Sequence, residues 1–120
     1  MSDQIIIYHN PRCSKSRAAL NLLRNHGVEP EIVEYLKTPP DIKQLKKILL
    51  MLKKNPRDII RKGEKEYKSL KLDNQSLDND SLIKHMVENP ILIERPIVIS
   101  ERGAVIGRPP ENVLALIEEK

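Results

Sequence analysis

The chain has 120 residues, of which 39% are hydrophobic, 32% charged and only 2% aromatic, and its formal net charge is +4. This length fits one domain over residues 1–120 and excludes two independent ones, and the core must be built from Ile, Leu and Val. No apolar run approaches the roughly 18 residues of a membrane span. The mild positive charge does not by itself indicate nucleic-acid binding. Residues 1–4 lack the features of a targeting peptide, so we expect a cytoplasmic protein.

The first third of the chain has the pattern of a βαβ unit. An Ile-rich run over residues 4–8 predicts a buried strand, and His9-Asn10-Pro11 predicts the turn after it. Residues 14–26 predict an amphipathic helix, for which Gly27 is the stop signal. Residues 31–36 predict a second strand, which we expect to lie parallel to the first with a right-handed crossover.

A helical segment follows over approximately residues 38–90. Thr38 is the predicted N-cap of its first helix, with Pro39 at the first helical position, and that helix runs toward Lys54. Its apolar side chains recur at three- and four-residue spacing. Residues 56–63 and 67–72 predict short helical pieces, and residues 77–89 predict a helix that ends before Pro90. The apolar stripe of the first helix consists of Ile42, Leu45, Ile48, Leu49 and Leu52.

The last quarter predicts a β-hairpin and a final helix. Residues 95–100 read as a strand that Pro96 opens, residues 101–103 as a turn, and residues 104–107 as a return strand. The final helix is predicted to begin at Pro109-Pro110. The order βαβ, helical segment, ββα resembles thioredoxin-like domains, so the expected class is α/β with a mixed four-stranded sheet. Pro96 fits this resemblance, because thioredoxin-like folds generally place a cis proline at the start of this strand, beside the thiol. Trans is the more frequent isomer for X–Pro bonds in general, so the sequence leaves the isomer before Pro96 open.

The single cysteine, Cys13, lies where the first strand meets the first helix. One cysteine excludes an internal disulfide and a multi-cysteine metal site. The orphan N–H groups and positive dipole end of a helix N-terminus stabilise a thiolate, and they also attract an oxyanion. The competing interpretation of a lone cysteine is a small buried hydrophobic side chain.

The residues that follow Cys13 can be compared with the spacing that two kinds of cysteine enzyme require. A phosphatase-type loop requires five residues between Cys and Arg, whereas three residues separate Cys13 and Arg17. A dithiol oxidoreductase requires a second cysteine three positions on, where this chain has Ser16. Resolution of a covalent intermediate by a second thiol of the same chain is therefore excluded.

Four sequence blocks together resemble the glutaredoxin-coupled arsenate reductase family. They are His-Asn-Pro-Arg-Cys-Ser-Lys-Ser-Arg at residues 9–17, Glu-Tyr-Leu-Lys-Thr-Pro-Pro at 34–40, the block from Asn89 to Val98 that contains Glu-Arg-Pro-Ile-Val, and Gly-Arg-Pro-Pro-Glu at 107–111. The blocks occur in the family's order and spacing, and the resemblance covers essentially the whole chain.

The resemblance implies specific roles for five residues. Cys13 matches the family's catalytic cysteine, and His9 matches a loop histidine that supports the thiolate and the shape of the loop. Arg61, Arg95 and Arg108 match three arginines that hold the oxyanion and the covalent intermediate. Planar guanidinium groups suit this task because several forked donors can converge on one tetrahedral anion.

The resemblance also implies the reaction and its partners. The expected activity is reduction of arsenate to arsenite, with glutathione as co-substrate, glutaredoxin as protein partner, and neither a metal nor a bound cofactor. A single cysteine agrees with this scheme, because external thiols must supply the reducing electrons. We expect a monomer, in which Asn10, Ser16 and Arg17 are accessory residues of the cysteine loop.

The loop departs from the best-studied members of the family. They usually carry small residues around the cysteine, whereas Arg12, Ser14 and Lys15 surround Cys13 here, as in a sub-branch of the family. The charged loop leaves the identity of the oxyanion open. Two alternatives therefore stand beside arsenate reduction: a glutathione-dependent thiol oxidoreductase with another substrate, and a redox regulator related to Spx-type proteins, which usually carry a CxxC motif.

Overall fold

The computed structural model describes residues 4–117, which fall into two units. The first, the sheet unit, comprises the described residues up to Thr38 and those from Arg95 onward. The second, the helical unit, is Pro39–Glu94. The helical segment expected between the second and third strands lies in this second unit, and the single-domain organisation stays a prediction. Among residues 4–117, no helix has both the length and the apolar character needed to cross a bilayer.

The sheet unit contains a mixed four-stranded sheet, as predicted. Its strands are β1 (Ile6–Tyr8), β2 (Glu31–Val33), β3 (Ile97–Ser100) and β4 (Gly103–Ile106), in the spatial order β2-β1-β3-β4. β1 is parallel to β2 and antiparallel to β3, and β3 is antiparallel to β4. The sequence predicted β2 to extend to residue 36. It ends at Val33 because the chain turns next, with N–H groups of Lys37 and Thr38 donating to the carbonyl of Glu34.

Helix α1 (Ser14–Asn25) connects β1 to β2 and packs on the sheet. Ala19 and Leu23 on its buried face are fully inaccessible, as are Ile7 of β1 and Val98 of β3. The predicted helix end is one residue too long, and Gly27 follows with a left-handed φ of 80°. This packing fixes the first turn of α1 directly beyond the end of β1.

The first helix of the helical unit, α2 (Ile42–Leu52), has a different N-cap from the one predicted. Asp41, not Thr38, is the cap: its Oδ1 accepts the N–H of Gln44 at 2.8 Å, and Gln44 Oε1 accepts the N–H of Asp41 at 2.9 Å. The consecutive prolines explain the shift, because a residue that precedes proline is held out of the helical conformation. The predicted apolar stripe of α2 is largely confirmed, and Leu45 is fully buried.

Three shorter helices follow in the helical unit: α3 (Pro56–Ile59), α4 (Lys65–Ser69) and α5 (Asn79–Glu88). The sequence placed α4 slightly late, at residues 67–72. Arg57 of α3 donates to the carbonyls of Leu72 at 2.8 Å and Asn74 at 2.6 Å, which secures the segment after α4.

The chain closes with a helical segment that is tighter than an α-helix. Residues Pro110–Leu116 form a 3₁₀ helix, and Val113 within it is fully buried in the sheet unit's core. A shorter 3₁₀ helix, Pro90–Leu92, precedes β3. The Arg95–Pro96 and Arg108–Pro109 peptide bonds are both cis.

Candidate active site

The register of the sheet brings three separate segments to one edge. Tyr8, the last residue of β1, pairs with Ile97, the first residue of β3, and Ile97 pairs with Ile106, the last residue of β4. The residues that follow β1, precede β3 and follow β4 therefore meet at this edge. These segments carry Cys13, Arg95 and Arg108, which are far apart in the sequence.

Cys13 is the N-cap residue of α1 and is buried. Its backbone is extended, with φ of −96° and ψ of 122°. Its N–H donates to the carbonyl of Asn10 at 3.0 Å, and its own carbonyl accepts the N–H of Arg17 at 3.0 Å. These bonds hold the cysteine between the loop and the first helical turn, as the sequence predicted.

The environment of Cys13 stabilises the thiolate. Burial opposes ionisation, but the backbone N–H groups of Ser16 and Lys15 and a hydrogen bond and positive charge from Arg95 outweigh it, so the pKa of Cys13 lies below its usual value. The cause is the one expected for a helix N-terminus beside a guanidinium group. At neutral pH a larger fraction of Cys13 is nucleophilic than of an ordinary cysteine.

Arg108 also contacts the sulfur. Its Nη2 lies 3.6 Å from Cys13 Sγ, and its Nε donates to the carbonyl of Arg95 at 2.8 Å. Two of the three predicted arginines are thus brought together at Cys13, one side chain being oriented by the backbone of the other. Two guanidinium groups beside a thiolate can bind a small oxyanion next to the nucleophile that would attack it.

Gly107 allows this arrangement, and sequence analysis assigned this residue no role beyond its place in the matched block. A Cβ at this position would lie 2.9 Å from Pro96 Cγ, 3.2 Å from Ala19 Cβ and 3.3 Å from Val113 Cγ1. Its N–H donates to the carbonyl of Pro96 at 2.9 Å. The close approach of β4's end to the segment before β3 positions Arg108, and only glycine fits there without displacement.

His9 is buried and is linked to the first turn of α1. Its Nδ1 lies 2.6 Å from Ser16 Oγ, which also accepts the N–H of Asn10 at 3.1 Å. Burial lowers the pKa of His9 and nearby Arg24 and Arg17 lower it further, against the opposite effect of Glu34. His9 is therefore mainly neutral near pH 7, and it contacts the loop through Ser16.

The remaining loop residues are exposed cations and their supports. Arg12, Lys15 and Arg17 are exposed. Arg17 Nη1 donates to the carbonyl of Pro11 at 2.8 Å, and Asn10 Oδ1 accepts the N–H of Arg12 at 2.9 Å. These bonds hold the loop's backbone in place, and an accessory role of Asn10 and Arg17 in the site stays a prediction.

Arg61, the third predicted arginine, lies in the helical unit and is held by carboxylates. Its Nε donates to Glu64 Oε2 at 3.1 Å and its Nη1 to Glu94 Oε1 at 2.7 Å. Its N–H donates to the carbonyl of Leu92 at 2.7 Å. Its role as an oxyanion ligand stays a prediction. Within residues 4–117, no three His, Cys, Asp or Glu side chains are grouped so that they could hold a metal ion.

The sheet order and the helix after β1 define a thioredoxin-like protein whose single cysteine lies at the start of that helix. Residues 8–116 match the family model described as the ArsC family. The chain belongs to this family.

Individual relatives match over nearly their whole length. The uncharacterized protein YfgD of Escherichia coli (strain K12) is 52% identical, and the match covers 98% of this chain and 99% of the relative. A protein of Neisseria meningitidis serogroup B named arsenate reductase is 49% identical over 95% of this chain and 98% of its own. The solved structure of an arsenate reductase from Vibrio cholerae is 45% identical with a TM-score of 0.93, covering 96% of this chain and 98% of that one.

Proposed function

We propose that this protein is an arsenate reductase in which Cys13 is the nucleophile. The observation that carries the proposal is the placement of a thiol of lowered pKa beside Arg95 and Arg108. The relatives from Neisseria and Vibrio that bear the name arsenate reductase support the choice of substrate. Arg61 is proposed as a third ligand of the oxyanion, on the basis of the matched sequence blocks.

The first step forms a covalent arsenic intermediate. The Cys13 thiolate attacks the arsenic of arsenate and an S–As bond forms, while an As–O bond breaks and the oxygen leaves as water after protonation. Arsenic remains As(V) in this arseno-cysteine. Arg95 and Arg108 stabilise the negative charge that gathers on the remaining oxygens, because charged N–H donors preorganised at a reacting centre act most strongly in the transition state.

Reduction then requires thiols from outside the chain. Glutathione replaces a second oxygen on arsenic, again releasing water. The glutaredoxin thiolate attacks the glutathionyl sulfur, a mixed disulfide of glutaredoxin and glutathione forms, and the electron pair of the broken S–As bond stays on arsenic as As(III). Hydrolysis releases arsenite and regenerates Cys13. A chain with one cysteine has no thiol of its own for this exchange.

A depression beside the cysteine loop supports glutathione as co-substrate. It encloses about 180 Å³ and its lining includes Arg12, Glu34 and Lys37. Glutathione carries two carboxylates and one ammonium group. Arg12 can pair with one carboxylate, and Lys37 and Glu34, which pair with each other at 3.4 Å in this structure, match the other carboxylate and the ammonium group. Such matching orients a charged ligand and speeds its encounter.

The test is a coupled assay that follows NADPH oxidation in the presence of arsenate, glutathione, glutathione reductase and glutaredoxin. We expect arsenate-dependent turnover that Cys13→Ser abolishes and that omission of glutaredoxin reduces. Ser14→Ala is the matched control, because Ser14 is an exposed neighbour on the same helical turn. Sedimentation and cell fractionation test the accompanying proposal of a cytoplasmic monomer.

The outcomes also separate the alternatives. No turnover with arsenate, while Cys13 still titrates as a thiol of lowered pKa, would reject arsenate as substrate. Release of glutathione from a glutathionylated peptide by wild type but not by Cys13→Ser would then support a thiol oxidoreductase. Inactivity in both assays would leave the Spx-like regulatory role.

A further inference from the structure

The buried hydroxyl of Ser16 has a fully determined set of hydrogen bonds. Ser16 is completely inaccessible to solvent, and among residues 4–117 its Oγ has two partners, the N–H of Asn10 and Nδ1 of His9. A backbone N–H can only donate, so Oγ accepts from Asn10. The hydroxyl hydrogen must therefore be donated to the other partner, His9 Nδ1.

The hydrogen bonds of Ser16 determine which nitrogen of the His9 imidazole ring is protonated. If Nδ1 carried a hydrogen, Ser16 Oγ would receive two donors and its own hydrogen would be buried without an acceptor. Buried donors in folded proteins are almost always satisfied. Nδ1 must then be the bare nitrogen, and the ring hydrogen must be on Nε2.

We propose that Ser16 is a positioning residue that locks His9 in the tautomer protonated at Nε2 and thereby braces the loop that presents Cys13. A continuous chain of hydrogen bonds connects Ser16 through Asn10 to Cys13. Ser16 Oγ holds the N–H of Asn10 at 3.1 Å, and the carbonyl of Asn10 holds the N–H of Cys13 at 3.0 Å. The same residue thus contributes twice, because its backbone N–H also stabilises the Cys13 thiolate.

The charged groups around His9 favour the neutral ring that this assignment requires. Glu34 raises its pKa, whereas Arg17 and Arg24 lower it in the same direction as burial. Protonation of Nδ1 would in addition displace the Ser16 hydrogen, so the geometry and the charges oppose the imidazolium together. The lock is expected to hold wherever His9 is neutral.

The tautomer is measured directly in the wild-type protein. Long-range ¹H–¹⁵N NMR spectra of protein whose histidine side chains are labelled with ¹⁵N distinguish, at neutral pH, a ring nitrogen that carries a hydrogen from one that does not. We expect Nδ1 of His9 to show the shift of a bare acceptor and Nε2 that of an N–H. A protonated Nδ1, or an even mixture of tautomers, would overturn the proposal without any need for a variant.

Ser16→Ala tests the effect on the thiol, with Ser14→Ala as the matched loss of one exposed hydroxyl. We expect Ser16→Ala to mix the His9 tautomers and to raise the pKa of Cys13. At a pH below the pKa of wild-type Cys13, the rate of alkylation by iodoacetamide should be about three- to tenfold lower in Ser16→Ala than in wild type. This factor corresponds to the free energy of one ordinary hydrogen bond. Ser14→Ala should change neither. Ser16→Thr, which keeps the hydroxyl, should retain the wild-type tautomer.

The proposal fails if Ser16→Ala is folded and matches Ser14→Ala in both the tautomer and the alkylation rate. If Ser16→Ala does not fold, the wild-type spectrum decides the tautomer. The effect on catalysis rests on the proposed role of Cys13 as nucleophile. Neither readout uses arsenate, so an error in the proposed substrate and an error in the Ser16 assignment give different results.

Discussion

Substitution of Gly107 by alanine tests whether close packing positions Arg108. The new Cβ would lie 2.9 Å from Cγ of Pro96, a ring atom that cannot rotate away, and within 3.2–3.3 Å of Ala19 and Val113. Forcing a methyl group into a packed core costs about 1–3 kcal/mol, and one hard contact with two tight ones belongs in the upper half of that range. The lower entropy of the unfolded alanine chain offsets about 0.5 kcal/mol.

The net expectation for Gly107→Ala is a loss of about 2 kcal/mol in the free energy of unfolding, or a Tm lower by about 8 °C for a chain of this size. Because Arg108 is the next residue, displacement of Gly107 moves the guanidinium that lies 3.6 Å from Cys13 Sγ. A misplacement of 1 Å in a catalytic group can cost about 10²-fold. We expect at least about a tenfold loss of kcat, measured well below the Tm.

Gly63→Ala is the matched control for this experiment. A Cβ at Gly63 meets nothing within 4 Å, and its φ is not in the left-handed region. The same substitution there should stabilise the protein by about 0.4–1 kcal/mol and leave turnover unchanged. Thermal unfolding followed by circular dichroism and steady-state kinetics provide both readouts. Equal Tm and kcat for Gly107→Ala and wild type would refute the argument from packing.

Three further predictions concern the thiol, its arginine and a helix cap. Arg95→Leu should lower kcat/KM for arsenate by one to two decades, since losing a charged hydrogen-bond partner costs about 1.5–3 kcal/mol. Arg102→Leu, at an exposed arginine of the same unit, should change kcat/KM by less than about twofold. The pKa of Cys13 in the folded protein is lowered from 9.0, so between these two pKa values the unfolded chain binds more protons than the folded one. The free energy of unfolding therefore rises with pH through that window, and this contribution is lost as the pH falls through the pKa of the folded state. Urea unfolding across this range should show the rise in wild type and its absence in Cys13→Ser. Asp41→Ala should destabilise by about 1 kcal/mol in the same assay and Thr38→Ala by much less, whereas equal effects would restore Thr38 as the cap.

The sequence was sufficient to predict elements that depend on local patterns. The Ile-rich run of β1, the spacing of apolar residues in α2 and the single cysteine between β1 and α1 each follow from neighbouring residues. Errors occurred at boundaries, where two local rules compete. At Thr38 the preference of hydroxyl residues for the N-cap predicted one start, but the consecutive prolines moved it to Asp41.

The geometry of the site depends on contacts between distant segments, which no local pattern encodes. Arg108 contacts the sulfur of a residue 95 positions earlier, and only the register of β1, β3 and β4 brings them together. The lack of room for a side chain at Gly107 likewise depends on neighbours that are distant in sequence, namely Pro96, Ala19 and Val113. Resemblance indicated which arginines to consider, but not that Arg61 pairs with Glu94, 33 positions away.

Arg95 both activates Cys13 and would hold its substrate, and this double role has a thermodynamic consequence. Arg95 lowers the thiol pKa, and with Arg108 it would also bind the oxyanion. A bound anion neutralises part of that positive charge, so binding must raise the thiol pKa, and by reciprocity ionisation of Cys13 must weaken anion binding by the same factor. An anion would therefore bind best while the thiol is protonated, and the thiolate would attack its central atom after the proton leaves. If the two arginines hold arsenate with its oxygens beside the sulfur, its hydroxyl oxygen can accept the thiol proton and leave as water.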